Sequence, residues 1–538
     1  MSQRILDNPA TLGVPSIPAP GSTLKLMLPA ILAVAGSLLM LLLRVQMGGE
    51  RFIADGALMM LALACYLTAA VFHLTNIYAP SDVAEKLGMW TATLGVFFNF
   101  SSWLVRWVAA YDRELSILTP QGRAGEIGWV FRFVPFANLY DLSLAFAFGA
   151  GITTLLVSQR KHFRMIAALS LPIAALILVL ARFIGNEFID LPPVLDSYWR
   201  PIHVGIASLS YGIALVCFAV AVLYLLKDGV KPQAMAIFSS IFCVAVFATI
   251  SKFSIFAPSS FFTYTASTFF GGSRQPLGLR ADIPYAGLFI GISGLLLIGV
   301  IIAFILYVQN DDGAAKKIGH NLLRLAFITQ LIGVIVLAAQ IKNMQPVSAH
   351  INTNQYGRFA IWLGEQEGLT KAQILQRKTP AELQTIGGDW VKENGNALRL
   401  SLNANPVEFA ALLTALAATM FVLIFSFRTE KLREALPSAE RLDGVMYKLA
   451  GVTFAGLALL LMTGAVWANE SWGRYWGWDS KETGAFVAWL TYGAFLHARI
   501  SRGWIGRRCA YFAVVAFLLV IFTYLGVSYL LPGLHSYA

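Results

Sequence analysis

The 538-residue chain is poor in charge. Asp, Glu, Lys and Arg make up 13% of positions, against roughly 25% in a soluble globular chain, while hydrophobic residues reach 57% and mean hydropathy is +0.66. By length alone the chain would hold three or four soluble domains. With so little charge it would not stay dispersed in water, so lipid must solvate most of it, and disorder and collagen-like repeats are excluded as well. Cysteine is also scarce: Cys65, Cys217, Cys243 and Cys509 stand far apart and form no CxxC, CxxCH or zinc spacing. The chain is therefore not itself a c-type cytochrome and carries no visible disulfide framework. A signal-peptide layout is missing from the polar, Pro-rich start MSQRILDNPATLGVPSIPAPGS, so the first span is expected to act as an uncleaved anchor. A net charge of +11 is also found in nucleic-acid-binding chains, but a Lys/Arg excess is the ordinary mark of short cytoplasmic loops in a membrane protein, and no nucleic-acid partner is expected.

What the chain does have is long apolar runs. A membrane-crossing helix needs about 20 mostly apolar residues. About thirteen windows qualify, near 26–43, 54–78, 87–110, 135–157, 164–183, 204–226, 233–254, 284–308, 320–341, 406–427, 446–467, 483–499 and 509–530. They are continuously apolar rather than alternating, which favours helices over a barrel. The expected fold is an all-α polytopic integral membrane protein with a small external helical insert.

Four segments follow: a polar tail at 1–25, a membrane bundle at 26–226, further membrane helices at 227–441 enclosing a soluble insert at 342–405, and a C-terminal core at 442–538. Within the insert, Thr379-Pro380-Ala381-Glu382 reads as a helix N-cap with its capping box. Basic clusters at Arg160/Lys161/Arg164, Lys227/Lys231, Lys316/Lys317/Arg324, Arg428/Lys431/Arg433 and Arg499/Arg502/Arg507/Arg508 all fall on one side. The positive-inside rule makes that side cytoplasmic, with the N-terminus inside and the C-terminus outside; Arg113, Arg123 and Arg132 depart from the rule.

Tryptophan is unevenly spread. Six of thirteen, Trp467, Trp472, Trp476, Trp478, Trp489 and Trp504, fall within GAVWANESWGRYWGWDSKETGAFVAWL and the residues just after it. An interfacial aromatic belt accounts for one or two such residues per helix end. It does not account for Trp472, Tyr475, Trp476 and Trp478 on one short loop with Gly473 and Gly477, a pattern that suits a platform for a large planar apolar ligand. His203 and His535 stand just outside the sixth and last windows, on the same face as that loop. Taken singly, each could be a solvated interfacial side chain. Two neutral imidazoles at a shared depth beside a tryptophan floor suit axial ligation of haem iron. His497 and His73 lie in the inner parts of the twelfth and second windows, where an ionisable group is costly and a functional candidate, or else a neutral ring bonded to a helix neighbour. His162, His320 and His350 read as solvated loop or insert residues.

WANESWGRYWGWDSKET, then LHAR, RGW and GLHSYA, resembles the tryptophan-rich WWD domain of the CcsA (ResC-like) family, the haem-handling subunit of System II cytochrome c haem lyases. LPPVLDSYWRPIHVGIASLSYG resembles the family's first external-histidine region. Arg106-Trp107 and PFANLYD at 135–141 resemble its early segment, with Asp141 where the acid is usually Glu, and Ser480 replaces the Pro of the family's WDPKE string. The likeness is strong over 442–538, good over 191–226 and looser over 87–157; the short forms of the family do not extend over 227–441.

The resemblance implies that His203 and His535 ligate haem b on the outer face, with Trp472, Trp476, Trp478 and Asp479 in the WWD loop, and that His497 lies on the haem route through the membrane. His73 is a candidate partner for His497, by depth and not by motif. Arg474 or Lys481 would neutralise the haem propionates. The implied reaction is addition of the two thiols of a CxxCH apocytochrome c to the haem vinyl groups, beside a CcsB/ResB-type partner in the cytoplasmic membrane, with the WWD loop and C-terminus external. The enzyme's share would be positioning, since the substrate supplies the nucleophiles. Three alternatives stay open: a System I-type haem-handling protein, a bis-histidine electron-transfer cytochrome b, and a transporter for another apolar ring ligand.

Overall fold

The computed structural model describes residues 20–160, 163–186, 188, 193–251, 263–270, 273–283, 285–401 and 407–526. His162 and His535 lie outside the described residues. Seventeen helices run along the described chain. The first six are α1 (Pro20–Met47), α2 (Asp55–Tyr78), α3 (Asp82–Leu118), α4 (Leu139–Ser158), α5 (Met165–Ile184) and α6 (Trp199–Lys227). Then come α7 (Pro232–Ser251), α8 (Ala286–Asn310), α9 (Gly313–Asn343), the short α10 (Tyr356–Gln366), α11 (Lys371–Arg377) and α12 (Pro380–Asn394), and α13 (Val407–Ser426). The last are α14 (Thr429–Ala435), α15 (Ala439–Trp472), α16 (Ser480–Arg502) and α17 (Arg507–Ile521), which runs into a π-helical turn at Phe522–Gly526.

The protein is a predominantly helical polytopic membrane protein. Every one of the thirteen apolar windows lies largely on a helix. Ten of these helices are long and apolar enough to cross a membrane by length and composition. The helices outside that set are instructive. α3 carries five charged residues beyond its first turn, among them Arg106, and α16 carries Lys481, Glu482, Arg499 and Arg502, so their polar groups must be met inside the protein or at its ends.

One feature of the structure is not helical. β1 (Thr263–Phe270), β2 (Ser273–Asp282) and β3 (Arg399–Ser401) form an antiparallel sheet in the order β2-β1-β3. β3 follows the insert helices and pairs with a hairpin that precedes α8, so the sheet ties the insert to the 263–282 segment. The insert helices are set by local signals. Thr379 and Glu382 form the expected capping box, and Thr370 and Gln373 form a second one at α11.

The five basic connectors gather at one end of the bundle. Asp443 accepts from Arg499 at 2.9 and 2.5 Å and from the Gly506 amide at 3.0 Å. Arg507 donates to Asp228 at 2.6 Å, and Arg433 donates to the Leu226 and Val230 carbonyls at 3.0 and 3.1 Å. Lys231 faces Asp311, and Arg164 pairs with Glu85. At the opposite half, a buried ion-pair cluster joins three helices. Arg106 is fully buried and donates to Asp141, to Asp55 at 3.3 Å and to the Asn186 carbonyl at 2.7 Å, with the Tyr140 and Phe188 rings against its guanidinium. Asp141 also accepts from the Ala137 amide at 2.9 Å, which holds the 136–139 segment against the head of α4.

Candidate functional site

A recess opens at the end of the bundle opposite the basic connectors, with about 1270 Å³ of empty space counting its open mouth. Its walls come from the segment leading into α4, the first turns of α6, the last turns of α15, the loop after it, the start of α16 and Thr523-Tyr524. His203, Trp472, Trp476 and Lys481 all line it. The size and the mainly apolar lining with a few polar groups are those of a ligand site.

His203 sits in the second turn of α6, within the helix rather than in the loop ahead of it. Its Nδ1 lies 3.0 Å from the Leu460 carbonyl on α15, and its ring lies 5.6 Å from that of Trp467. A carbonyl only accepts, so Nδ1 carries the proton and the neutral ring has its lone pair at Nε2, the tautomer that ligates a metal. Gly464 makes room for this arrangement. A Cβ there would lie 2.7 Å from His203 Cε1 and 3.0 Å from Nδ1.

The tryptophan loop is shaped by its two flanking helices. α15 ends at Trp472 because Gly473 takes the left-handed conformation, φ 70°, and its amide closes on the Asn469 carbonyl at 2.9 Å. α16 then starts with a capping box. Asp479 accepts from the Lys481 amide at 3.0 Å, and the Glu482 carboxylate accepts from the Asp479 and Gly477 amides at 3.2 and 2.8 Å. Glu482 thus fixes the turn that presents Trp476. Lys481 stands ahead of the apolar part of α16. Desolvation lowers its pKa to about 8, against the opposing pull of Asp479.

Other candidates fall elsewhere. Trp478 is 69% exposed, with φ 57°, and meets Trp476 edge-on at 5.6 Å; it is not among the residues lining the recess. Arg474 is not among the residues lining the recess, and its guanidinium lies over Gly477. Asp479 is buried and serves as the cap of α16. His497 is on the exposed face of α16, with Ser501 Oγ 3.4 Å away. His73 is buried against Gly88, on a helix that packs with α3, α5 and α14, whereas α16 packs with α15, α17 and the π turn. The structure does not bring His73 and His497 together.

Sequence reasoning passed over Arg200 and Tyr524, and took Trp467 only as one of the clustered tryptophans; all three line the same recess. Arg200 had a readable signal, since it precedes His203 by three residues and so shares its helical face. Tyr524 had none. It reaches the recess through a hydrogen bond to Ser143 at 2.7 Å, between elements 381 residues apart.

The family model for cytochrome C assembly protein matches residues 136–341 and 408–535, more than half of the chain. The chain belongs to the cytochrome c assembly protein family. A segment of about a hundred residues is similar to proteins named cytochrome c biogenesis protein CcsA. One from Prochlorococcus marinus (strain MIT 9515) is 57% identical over 98 residues, 18% of this chain and 31% of that relative. Another from Gloeobacter violaceus is 54% identical over 99 residues, 18% and 29% of the two chains. A third from Synechococcus elongatus is 54% identical over 104 residues, 19% and 32%. In each case the match spans about three tenths of the relative's length. The family match extends further along the chain than the motif resemblance. Residues 227–341 and 408–441, which the motif resemblance left uncovered, fall within the cytochrome c assembly match, while 342–407 does not.

Proposed function

We propose that this protein, whose family places it in cytochrome c biogenesis, presents haem b on the external face of the cytoplasmic membrane for covalent attachment to apocytochrome c. The reading rests on the convergence of His203, Trp472, Trp476 and Lys481 on one recess. In this reading His203 Nε2 is one axial ligand of the iron. His535, outside the described residues, is the other by its place in the GLHSYA string. Trp472 and Trp476 support the porphyrin, and Lys481 neutralises a propionate. The N-terminus is cytoplasmic and the tryptophan loop external, in keeping with the side on which the basic connectors gather.

The chemistry is addition without net redox change. Each cysteine S–H of a CxxCH motif adds across a haem vinyl group; a C–S bond forms, the C=C π bond is lost, and the thiol proton ends on the other vinyl carbon. The protein's contribution is orientation, with a CcsB/ResB-type membrane protein completing the enzyme. His497 and His73 act separately in this scheme, and haem passage past His497 remains part of the proposal.

The test is the reduced absorption spectrum of the purified protein. The wild type should carry a low-spin bis-imidazole haem, and His203→Ala and His203→Ala/His535→Ala should lose it or shift it to a high-spin form. An unchanged spectrum in the double variant refutes the site. Co-expression with the partner and a CxxCH apocytochrome should yield covalent haem; none in its presence refutes the lyase reading.

A further inference from the structure

Next to the recess, at the same end of the bundle, lies an exposed aromatic face that the haem site does not use. The chain between α3 and α4 runs through three short 3-10 helices, Thr119–Gln121, Ala124–Glu126 and Val130–Phe133. Its last part leaves Trp129, Val130 and Phe131 exposed, and the entry to α6 leaves Tyr198, Trp199 and Ile202 exposed. Trp129 stacks on Phe131 with ring centroids 4.5 Å apart and meets Tyr198 at 5.4 Å, so the two segments make one surface. None of these six is among the residues lining the recess.

Charge and position together say what covers this face. Arg132 donates to Asp196 at 2.5 Å and Arg123 to Glu126 at 2.7 Å, so neither arginine is left without its acid in an apolar setting. The Trp107 indole N–H donates to the Val130 carbonyl at 2.8 Å, which satisfies backbone of the same segment. The face also continues a stripe along α6. Tyr198, Ile202 and Leu209 are exposed at spacings of four and seven residues, which places them on one side of the helix. Trp199–Lys227 is long and apolar enough to cross a membrane, and Leu209 lies about 16 Å along it from Tyr198 at 1.5 Å per residue. The stripe therefore leads from hydrocarbon depth up to a group of tryptophan and tyrosine rings, the residues whose apolar body and polar tip suit the headgroup level.

We infer that this aromatic face is a membrane-interface anchor, seated between headgroups and acyl chains of the leaflet on the recess side, and that it fixes the depth of the recess. Tyr198 immediately precedes α6, and His203 stands five residues on in the same helix. From the anchor segment, the Arg132 carbonyl accepts from Arg200 at 2.6 Å, and Phe136, four residues after Arg132, lines the recess. Anchor and recess wall thus share a helix and a hydrogen bond, and seating one sets the level of the other. No ligand enters this inference, which stands apart from the haem reading.

The full-length protein, carrying Cys65→Ser because Cys65 is the one cysteine that is not buried, is reconstituted in phosphatidylcholine–phosphatidylglycerol vesicles. An environment-sensitive fluorophore is attached at Trp129→Cys or Tyr198→Cys. Leu209→Cys, at hydrocarbon depth, and Leu375→Cys, exposed on α11 of the insert, are the references. Labels at 129 and 198 should be quenched more by a lipid spin-labelled near its headgroup than by one labelled near its chain end, with the reverse order at 209. Iodide on both sides of the membrane should quench them several-fold less than the label at 375. Iodide quenching equal to that at 375 overturns the anchor. So does shielding from iodide without response to either spin-labelled lipid in native membranes, the sign of a protein partner on this face. If the cysteine variants do not fold, the difference in intrinsic fluorescence between wild type and Trp129→Phe decides: loss of a lipid-quenched component supports the anchor, and loss of an iodide-quenched one overturns it. A failed haem spectrum would leave every one of these readings unchanged.

Discussion

Gly464 offers a sharp perturbation of the site because its substitution changes one contact. A Cβ at 464 would lie 2.7 Å from His203 Cε1, and the lower edge of ordinary contact is 3.4 Å, so the ring must retreat by 3.4 − 2.7 = 0.7 Å. The retreat is away from α15, the helix whose Leu460 carbonyl holds Nδ1 at 3.0 Å. Moving the ring that far takes the hydrogen bond out of its normal range, at a cost of about 0.5–1.5 kcal/mol. It also tilts Nε2 from its ligating direction. Together these should weaken haem binding in Gly464→Ala by roughly 10-fold, with a larger loss in Gly464→Val. Haem titration followed by the Soret band measures it, and a thermal melt separates site damage from unfolding. A Gly464→Ala protein with wild-type affinity and spectrum would refute the proposed role of the His203–Leu460 contact.

Lys481 should impose a pH dependence on anionic-ligand binding. Its pKa in the folded protein is about 8, below the ordinary 10.5, so it is charged below pH 8 and binding should weaken as pH rises through that value. Glu482 and Tyr475 near it in sequence, Arg200 and His203 on α6 and Tyr524 beyond them share the recess, with Asp479 capping the helix beside it, so Lys481→Arg, which stays charged, is the control that should flatten the profile above pH 8. The linkage has a definite sign. The folded state binds fewer protons than the unfolded between pH 8 and 10.5, so this group's contribution to stability rises over that window and its penalty is full below it. Arg106→Leu should cost about 3–5 kcal/mol, because it strands the buried carboxylates of Asp55 and Asp141; a melting temperature near wild type would contradict the ion-pair account. Asp479→Ala should cost about 0.5–2 kcal/mol by removing the cap of α16, read as faster proteolysis within 473–479, and unchanged cleavage rates would count against it.

The membrane fold was legible in the sequence because its cause is local. Each long apolar run must close its own backbone hydrogen bonds in lipid, and a helix does so within the run. The insert helices were legible for the same kind of reason, through Thr379 and Glu382 three positions apart. The sheet was not, since β1 and β3 are separated by more than a hundred residues and pair across two membrane helices and the insert. The tryptophan loop stood out by density, yet density could not tell which indoles face inward. Trp476 lines the recess and Trp478, two residues on, points out, because the backbone between them is bent by the Glu482 bonds and the left-handed Trp478.

By itself the sequence determined a charge-poor, polytopic helical protein with its basic loops at one end and a tryptophan-rich loop at the other. Those features follow from hydropathy and charge read along a single segment. Which side chains share a site was decided by tertiary structure alone. The contacts of His203 with Leu460, of Arg200 with Arg132 and of Ser143 with Tyr524 join positions 257, 68 and 381 residues apart. They form only when α4, α6, α15 and the turn after α17 pack together, and that packing turned a histidine, a lysine and two tryptophans into one recess.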